Sequence, residues 1–203
     1  MVTSICKKGT QAINYFAHKK DGKINKMKAI KLIYLADRYH LRKYGRTIIG
    51  DKYWAMKLGP VGSDVLNIAN ISSRNLDKES LKYVHTYLAH IDGDERAQNV
   101  VAKKAVDIDV FSQTDIEAFE TVFKEFGDCD QFELAEITHT YPEWAKHKKE
   151  ILVDGKKSVR MQYEDFFSNP RTVQSSIFEM PDDHLKLNKD VYTENSEVEN
   201  ILA

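Results

Sequence analysis

Long apolar runs, paired cysteines and catalytic signatures are scarce in this chain of 203 residues. No stretch approaches the roughly 18 apolar residues that a membrane-spanning helix needs, and the opening "MVTSICKKG" has no apolar core of signal-peptide length. Cys6 and Cys129 are the only cysteines and form no CxxC, which argues against disulfides and against a structural zinc site. We therefore expect a cytoplasmic protein without a membrane segment.

Motifs of common catalytic and cofactor-binding sites are also missing. The seven histidines form neither HExxH nor a cluster with ligand spacing, and no GxxxxGK[ST] occurs. The corner "GPVGSD" opens a helix that could attract an anion, but Asp64 in its first turn would repel a phosphate. From these absences we expect no enzymatic activity, no metal and no cofactor.

A net charge of −1 conceals opposite charges in the two parts of the chain. Residues 1–60 contain 14 Lys or Arg against three acids, whereas residues 61–203 contain 16 against 28. The stretch 179–203 has seven acids and two lysines. One interpretation is a basic surface for nucleic acid or an acidic partner; the other is that the two ends balance one another or that the charges only maintain solubility.

Hydrophobic spacing predicts mostly helices. A first helix is expected at 10–19 with Thr10 as its cap, and a long one from an Asn25 cap to about Tyr44, where Gly45 ends it. Further helices are predicted at 64–70, 77–91, 113–126 and 131–139 and from Pro142, with a turn at "DGDER" (92–96) and a strand within "NVVAKKAVDIDVF".

The segment "RTIIGDKYWAMKLGP" between these helices is rich in strand formers. It predicts a β-hairpin with a two-residue turn at Gly50-Asp51, whose second strand ends at Gly59-Pro60. The predicted fold class is α+β, mainly α-helical: a compact helical domain around the long central helix, with a small β-hairpin. Residues 1–150 form that domain, and 151–203 form an acidic extension that we expect to be partly mobile.

A carboxylate lies on the apolar face of the long predicted helix. Asp37, in "KLIYLADRYHL", is three, four or seven residues from several apolar side chains, so its charge needs a partner. Asp37 and His40 could form an acid–base pair with shifted pKa values, or they could hold the following loop and hairpin in place. We favour the structural interpretation because no third catalytic residue is visible nearby.

Basic side chains collect on the polar strip of the same helix. We take this strip as a candidate partner-binding surface, formed by Lys28, Lys31, Arg38 and Arg42. Tyr39 and Tyr53 are further candidates for contact with a partner, as part of an exposed aromatic surface, or they are core residues. A nucleic-acid-binding regulator that uses the strip would bind DNA or RNA with a steep dependence on salt.

Residues 31–61 read "KLIYLADRYHLRKYGRTIIGDKYWAMKLGPV" and resemble the Panacea domain family of SocA-like and GepA-like proteins. "FSQTDIEAFETVFKEFGDCDQFELAEITHTYPEW" is similar to the closing helices of that domain, so the resemblance covers roughly residues 10–150. It implies a mostly helical domain with a small hairpin and no established enzymatic activity. It also implies an antitoxin of a toxin–antitoxin system, often phage-associated, that neutralises a cognate toxin by direct binding.

The resemblance also allows an alternative to direct neutralisation, in which the protein is an adaptor that delivers the toxin to a protease. It also suggests a polar bracket that fixes the hairpin and its corner against the central helix, formed by Asp37, His40, Gly50, Asp51, Gly59 and Pro60. We expect partner specificity in the parts least like the family, 72–100 and 151–203.

Overall fold

A long central helix is surrounded by the other elements of the fold. The computed structural model describes residues 1–91, 98–170 and 175–202. The helices are α1 (Ser4–His18), α2 (Lys26–Tyr44), α3 (Ser63–Ala69), α4 (Lys78–Tyr87), α5 (Gln113–Phe126), α6 (Gln131–His139), α7 (Pro142–Ala145), α8 (Lys148–Leu152) and α9 (Asp182–Leu202). The strands are β1 (Lys23–Asn25), β2 (Tyr53–Met56), β3 (Gly59–Gly62), β4 (Leu88–His90), β5 (Asn99–Ala102) and β6 (Ser158–Arg160). This architecture confirms the predicted α+β, mainly helical class.

Helix α2 is buried around its whole circumference. The Asn25 side chain caps it by accepting a 3.2 Å hydrogen bond from Lys28 N, and Gly45 ends it in the left-handed region at φ 69°, as predicted. Every residue from Lys28 to Arg42 is buried. Helices α1, α5, α6 and α9 all pack against α2. Because α2 is buried on all sides, its polar residues need hydrogen-bond partners inside the protein.

The first helix begins earlier than predicted. Thr3 caps α1 by accepting from Cys6 N, whereas Thr10, the expected cap, is buried inside the helix and donates to the Cys6 carbonyl at 2.7 Å. Gly9 allows α3 to approach, because a Cβ there would lie 2.7 Å from Cδ1 of Ile68. The predicted helix at 77–91, by contrast, is too long, since the chain turns into β4 after Tyr87.

Two small antiparallel sheets flank the helices, with strand orders β1-β5-β4 and β3-β2-β6. In the second sheet Trp54 lies opposite Val61 on one side and Arg160 on the other. The hairpin is therefore β2–β3, with its turn at Lys57-Leu58, and Gly59 supplies the positive φ of 91° after that turn. The prediction of a hairpin turn at Gly50-Asp51 is wrong, and Gly59-Pro60 begins a strand instead of ending one.

The reason lies in competing partners for the backbone between α2 and β2. Gly50 has a positive φ of 75°, so the chain does bend there. However, Ile48 N and Ile49 N donate to the Asp37 carboxylate at 2.8 and 3.0 Å, which removes them from any strand ladder. Asp51 turns its carboxylate toward the start of α3.

The segment after residue 150 contacts the rest of the fold at several points. β6 pairs with β2, a short 3-10 helix at Tyr163–Phe167 buries Phe166 and Phe167, and α9 packs along α2. The stretch expected to be partly mobile thus ends in a long helix, and Leu185 on that helix is buried. The division of the chain at residue 150 stays a prediction.

The predicted turn at 92–96 lies outside the described residues. Within the described ranges, no helix combines the length and the apolar composition needed to cross a lipid bilayer.

Candidate functional site

Asp37 joins the centre of α2 to the following loop and to β2. Its carboxylate is completely buried and accepts hydrogen bonds from Ile48 N (2.8 Å), Ile49 N (3.0 Å) and the Tyr53 hydroxyl (2.7 Å). Burial raises the pKa of Asp37 to about 6, while the three donors act in the opposite direction because they stabilise the charged form. The arrangement satisfies a buried carboxylate with backbone and side-chain donors of its own chain.

His40 has different partners and is also completely buried. Its Nδ1 donates to the Arg46 carbonyl at 2.9 Å, and its Nε2 lies 3.0 Å from Oγ1 of Thr114. Burial lowers the pKa of His40 to about 4, while the Asp115 carboxylate, whose Oδ1 lies 3.3 Å from Nε2, acts in the opposite direction. A hydrolase built on Asp37 and His40 requires solvent access, and neither side chain has it.

The basic strip of α2 faces the interior, which corrects our expectation of an exposed surface. Lys28, Lys31, Arg38 and Arg42 are between 0% and 8% exposed. Lys28 donates to the carbonyls of Gly127 and Cys129 at 2.6 and 2.7 Å, and Lys31 donates to that of Pro60 at 2.7 Å. These amines therefore fasten surrounding loops to α2 through main-chain oxygens.

The two arginines of the strip hold the C-terminal half of the fold. Arg42 donates to the carbonyls of Phe166, Ser168 and Phe178 at 2.7 to 3.0 Å. Arg38 donates from Nε to Oε1 of Glu143 at 2.8 Å, and both side chains of that ion pair are fully buried.

The remaining residues of the predicted bracket lie close to α2 and α3. Asp51 accepts from Asp64 N at 2.9 Å and Val65 N at 2.8 Å, so it satisfies the first backbone donors of α3 from outside that helix. Pro60 accepts from Lys31, and a Cβ on Gly59 would lie 2.8 Å from Nζ of Lys31. Gly50 forms the bend between the parts that Asp37 and Asp51 hold.

The two candidate tyrosines are interior residues as well. Tyr53 is 2% exposed and donates to Asp37, and Tyr39 is 9% exposed and accepts from Nζ of Lys43. The predicted partner-binding set thus lies in the core of the structure, and a surface for a partner has to be sought elsewhere.

An apolar groove of about 920 Å³ opens at the N-terminal end of α2. Its walls come from the start of α2, the β2–β3 turn, α3, the start of α6, and α8 with the residues after it. The apolar lining consists of Met27, Ile30, Met56, Leu58, Val61, Leu66, Phe132, Ile151 and Leu152. Leu58, Phe132 and Leu152 are 50%, 58% and 45% exposed, so the groove presents an apolar surface to solvent.

The charged side chains in the lining of this groove are lysines. Lys26, Lys57, Lys156 and Lys157 line it together with the buried Lys31. Lys156 pairs with Glu150 at 2.5 Å, whereas Lys57 and Lys157 form no ion pair with a described residue. Among the lining residues that the structure describes, none is Asp or Glu.

Sequence reasoning missed the groove because its residues come from separate segments of the chain. The local signal was Phe132, which is exposed on α6, whereas Leu134, Ala135 and Thr138 of that helix are buried. Leu58 in a tight turn is a second such signal. A single exposed apolar residue carries little information, and only the tertiary structure shows that these lie together.

The fold and the groove together define a mainly helical domain with a surface suited to binding. The sequence model of the family described as antitoxin SocA-like, Panacea domain, matches residues 30–145, more than half of the chain. The chain belongs to this family. A search of curated proteins and of solved structures finds no match. The matched range contains most of α2, the β2–β3 hairpin, α5 and α6, but not the groove wall after residue 145.

Proposed function

We propose that this protein is an antitoxin that neutralises a cognate protein toxin by binding it directly, without catalysis. Family membership supports the antitoxin role. The observation that carries the binding mechanism is the apolar groove, because Leu58, Phe132 and Leu152 leave an apolar surface that a protein partner can cover.

The burial of the polar residues on α2 supports this proposal over its rivals. Asp37 and His40 are bonded within the fold, which suits a structural role better than acid–base chemistry. Lys28 and Arg42 donate to carbonyl oxygens of their own chain and are buried, so they are poorly placed to contact a phosphate backbone.

Growth assays at the native locus test the proposal. The neighbouring open reading frame is induced alone and together with this gene, with an empty vector as the control. We expect growth arrest in the first case and rescue in the second. Toxicity without rescue, or no toxicity, would contradict the antitoxin role.

Purified proteins then separate direct neutralisation from delivery to a protease. We expect a stoichiometric complex that inhibits the toxin in the absence of any protease. A complex that leaves the toxin active until a protease is added would favour the adaptor. Binding to DNA that weakens steeply with salt, without binding to the toxin, would favour the nucleic-acid regulator.

A further inference from the structure

We propose that the groove at the N-terminal end of α2 takes an apolar segment of the partner that also carries acidic side chains. The inference rests on the proposed function, since the partner in question is the toxin. It adds the chemistry of the toxin segment and the residues of this chain that recognise it.

The size and lining of the groove suit several apolar side chains at once. A volume of about 920 Å³ lies near the upper end of the range of roughly 300–1,000 Å³ for pockets that bury a small ligand. Leu58 and Phe132 contribute to it from different walls, the β2–β3 turn and α6. Burial of such exposed apolar groups stabilises a complex, since apolar surface removed from water is the main favourable contribution to association.

Two methionines make this lining adaptable. Met27 on α2 and Met56 at the end of β2 both contribute to the groove. A methionine side chain is unbranched and polarisable, and it repacks around partners of different shape. The groove therefore selects a partner by apolar character and charge more than by a single complementary shape.

The lysines of the groove select for acidic side chains. Lys57 and Lys157 are exposed, and no carboxylate among the described lining residues offsets them. A basic segment would be repelled from this groove, whereas acidic side chains at the edges of an apolar segment would pair with the exposed amines.

A second copy of this chain offers the same chemistry and is the main competing occupant. Helix α9 is acidic and carries Leu187 and Val198 with 61% and 54% exposure. In the structure, however, α9 packs on its own α2, where Asn188 donates to the Arg42 carbonyl at 2.8 Å. Docking in a neighbour's groove would break that contact, so we assign the groove to the toxin.

Groove variants of the full chain are compared with matched variants elsewhere, after a check that each melts like wild type. Leu58→Asp/Phe132→Asp places charge in the apolar lining, and Ile108→Asp, at 60% exposure outside both the groove and α9, is its control. Lys57→Glu/Lys157→Glu reverses the charge of the groove, and Lys7→Glu/Lys82→Glu reverses two exposed lysines that do not line it. Affinity for the purified toxin and rescue of growth are measured for each.

We expect the apolar double variant to lose at least about 30-fold in affinity, which is the size of an interface hot spot. The lysine double variant should bind about tenfold more weakly, associate more slowly and lose part of the wild-type salt dependence. Both should rescue growth poorly, and the controls should behave as wild type.

Three results would overturn the assignment. Groove variants that bind and rescue like wild type, while wild type still neutralises, would refute the groove and leave the antitoxin role intact. A wild type that neither binds nor rescues would refute the proposed function and with it this occupant. A wild-type dimer in light scattering that Leu58→Asp/Phe132→Asp converts to a monomer would assign the groove to a second copy. If the apolar variant fails to fold, the lysine variant alone tests whether the groove binds the toxin.

Discussion

The Tyr53 hydroxyl donates a 2.7 Å hydrogen bond to Oδ2 of Asp37, which joins β2 to the middle of α2 in the interior of the protein. Oδ1 of the same carboxylate accepts from Ile48 N and Ile49 N. One buried side chain therefore holds both the loop after α2 and the first strand of the hairpin. This places the residue in the scaffold that supports the groove, because Met56 ends that strand and Leu58 follows in its turn.

Replacement of Asp37 should destabilise the fold. We expect Asp37→Ala to cost about 3–5 kcal/mol in the free energy of unfolding, because three buried donors lose their acceptor. Asp37→Asn retains an acceptor oxygen, and Tyr53→Phe removes one bond, so each should cost about 1–2 kcal/mol. Urea unfolding of the three variants measures the series. An Asp37→Ala variant that unfolds like wild type yet no longer binds the toxin would instead make Asp37 a contact residue.

Asp51 should stabilise the start of α3 more than Asp64, the carboxylate in the first turn of that helix. Asp51→Ala removes the acceptor for Asp64 N and Val65 N, and we expect a loss of about 2 kcal/mol, at the upper end for a lost helix cap. Asp64→Ala is the matched control, since it deletes a carboxylate from the first turn of α3 and should cost less than about 1 kcal/mol. Equal losses in urea unfolding would show that the carboxylates act only through the helix dipole.

Gly62 tests the same contact from the other side. A Cβ at this position would lie 2.9 Å from Cγ of Asp51 and closer still to its Oδ2. Gly62→Ala should therefore displace the Asp51 carboxylate and cost about 1–3 kcal/mol through overpacking. In the Asp51→Ala background the added methyl group has room, so the second substitution should cost much less there. Additive losses in a double-mutant cycle would contradict the contact.

Sequence patterns predicted α2, α5 and α6 closely because their boundaries depend on neighbouring residues. Asn25 and Gly45 bound α2, and Asp130 and Glu133 form a capping box at the start of α6. Such caps involve groups a few residues apart, so their chemistry can be read from the sequence alone.

The basic strip was misplaced because its acceptors are distant in sequence. A helical wheel treats Lys28 and Arg42 as solvent-facing, whereas their acceptors include the carbonyls of Gly127 and Phe166, 99 and 124 positions along the chain. Main-chain oxygens have no sequence signature, since every residue has one. The hairpin register was wrong for a related reason, because Asp37 captured the amides of the predicted first strand.

Arg42 should hold the chain after residue 160 in place. Arg42→Met keeps most of the side-chain volume but leaves the carbonyls of Phe166, Ser168 and Phe178 without their donor. We expect a loss of about 3–5 kcal/mol in the free energy of unfolding. Limited proteolysis should show faster cleavage after residue 160 than in wild type.

Lys43→Met is the control for Arg42→Met. Lys43 lies one residue along and donates to the Tyr39 hydroxyl, a bond within α2, so its loss should change both readouts little. A uniform increase in cleavage along the Arg42→Met chain would mean that Arg42 does not hold this segment in particular.

Lys31 should make the protein more stable as the pH rises. A surface lysine in an ion pair has the opposite effect, because its pKa is raised in the folded protein. Burial lowers the pKa of the Lys31 amine from 10.5 to about 7. Between those two values the unfolded chain binds a proton at Lys31 that the folded protein does not. The contribution of this residue to stability therefore rises as the pH rises through that window.

Lys31→Met removes the titrating amine and isolates this effect. The free energy of unfolding of wild type, minus that of the variant, should increase by up to about 3 kcal/mol between about pH 7 and pH 9.5. Urea unfolding of both proteins at the two pH values measures it, and the ionisation of tyrosines cancels because the two chains share them. The loss of the bond to the Pro60 carbonyl lowers the variant's stability by a similar amount at both pH values, so it shifts the difference by a constant and does not alter its change with pH. A difference that stays constant with pH would show that the buried amine is protonated in the folded protein, in which case the groove carries one more full positive charge and attracts an acidic partner more strongly.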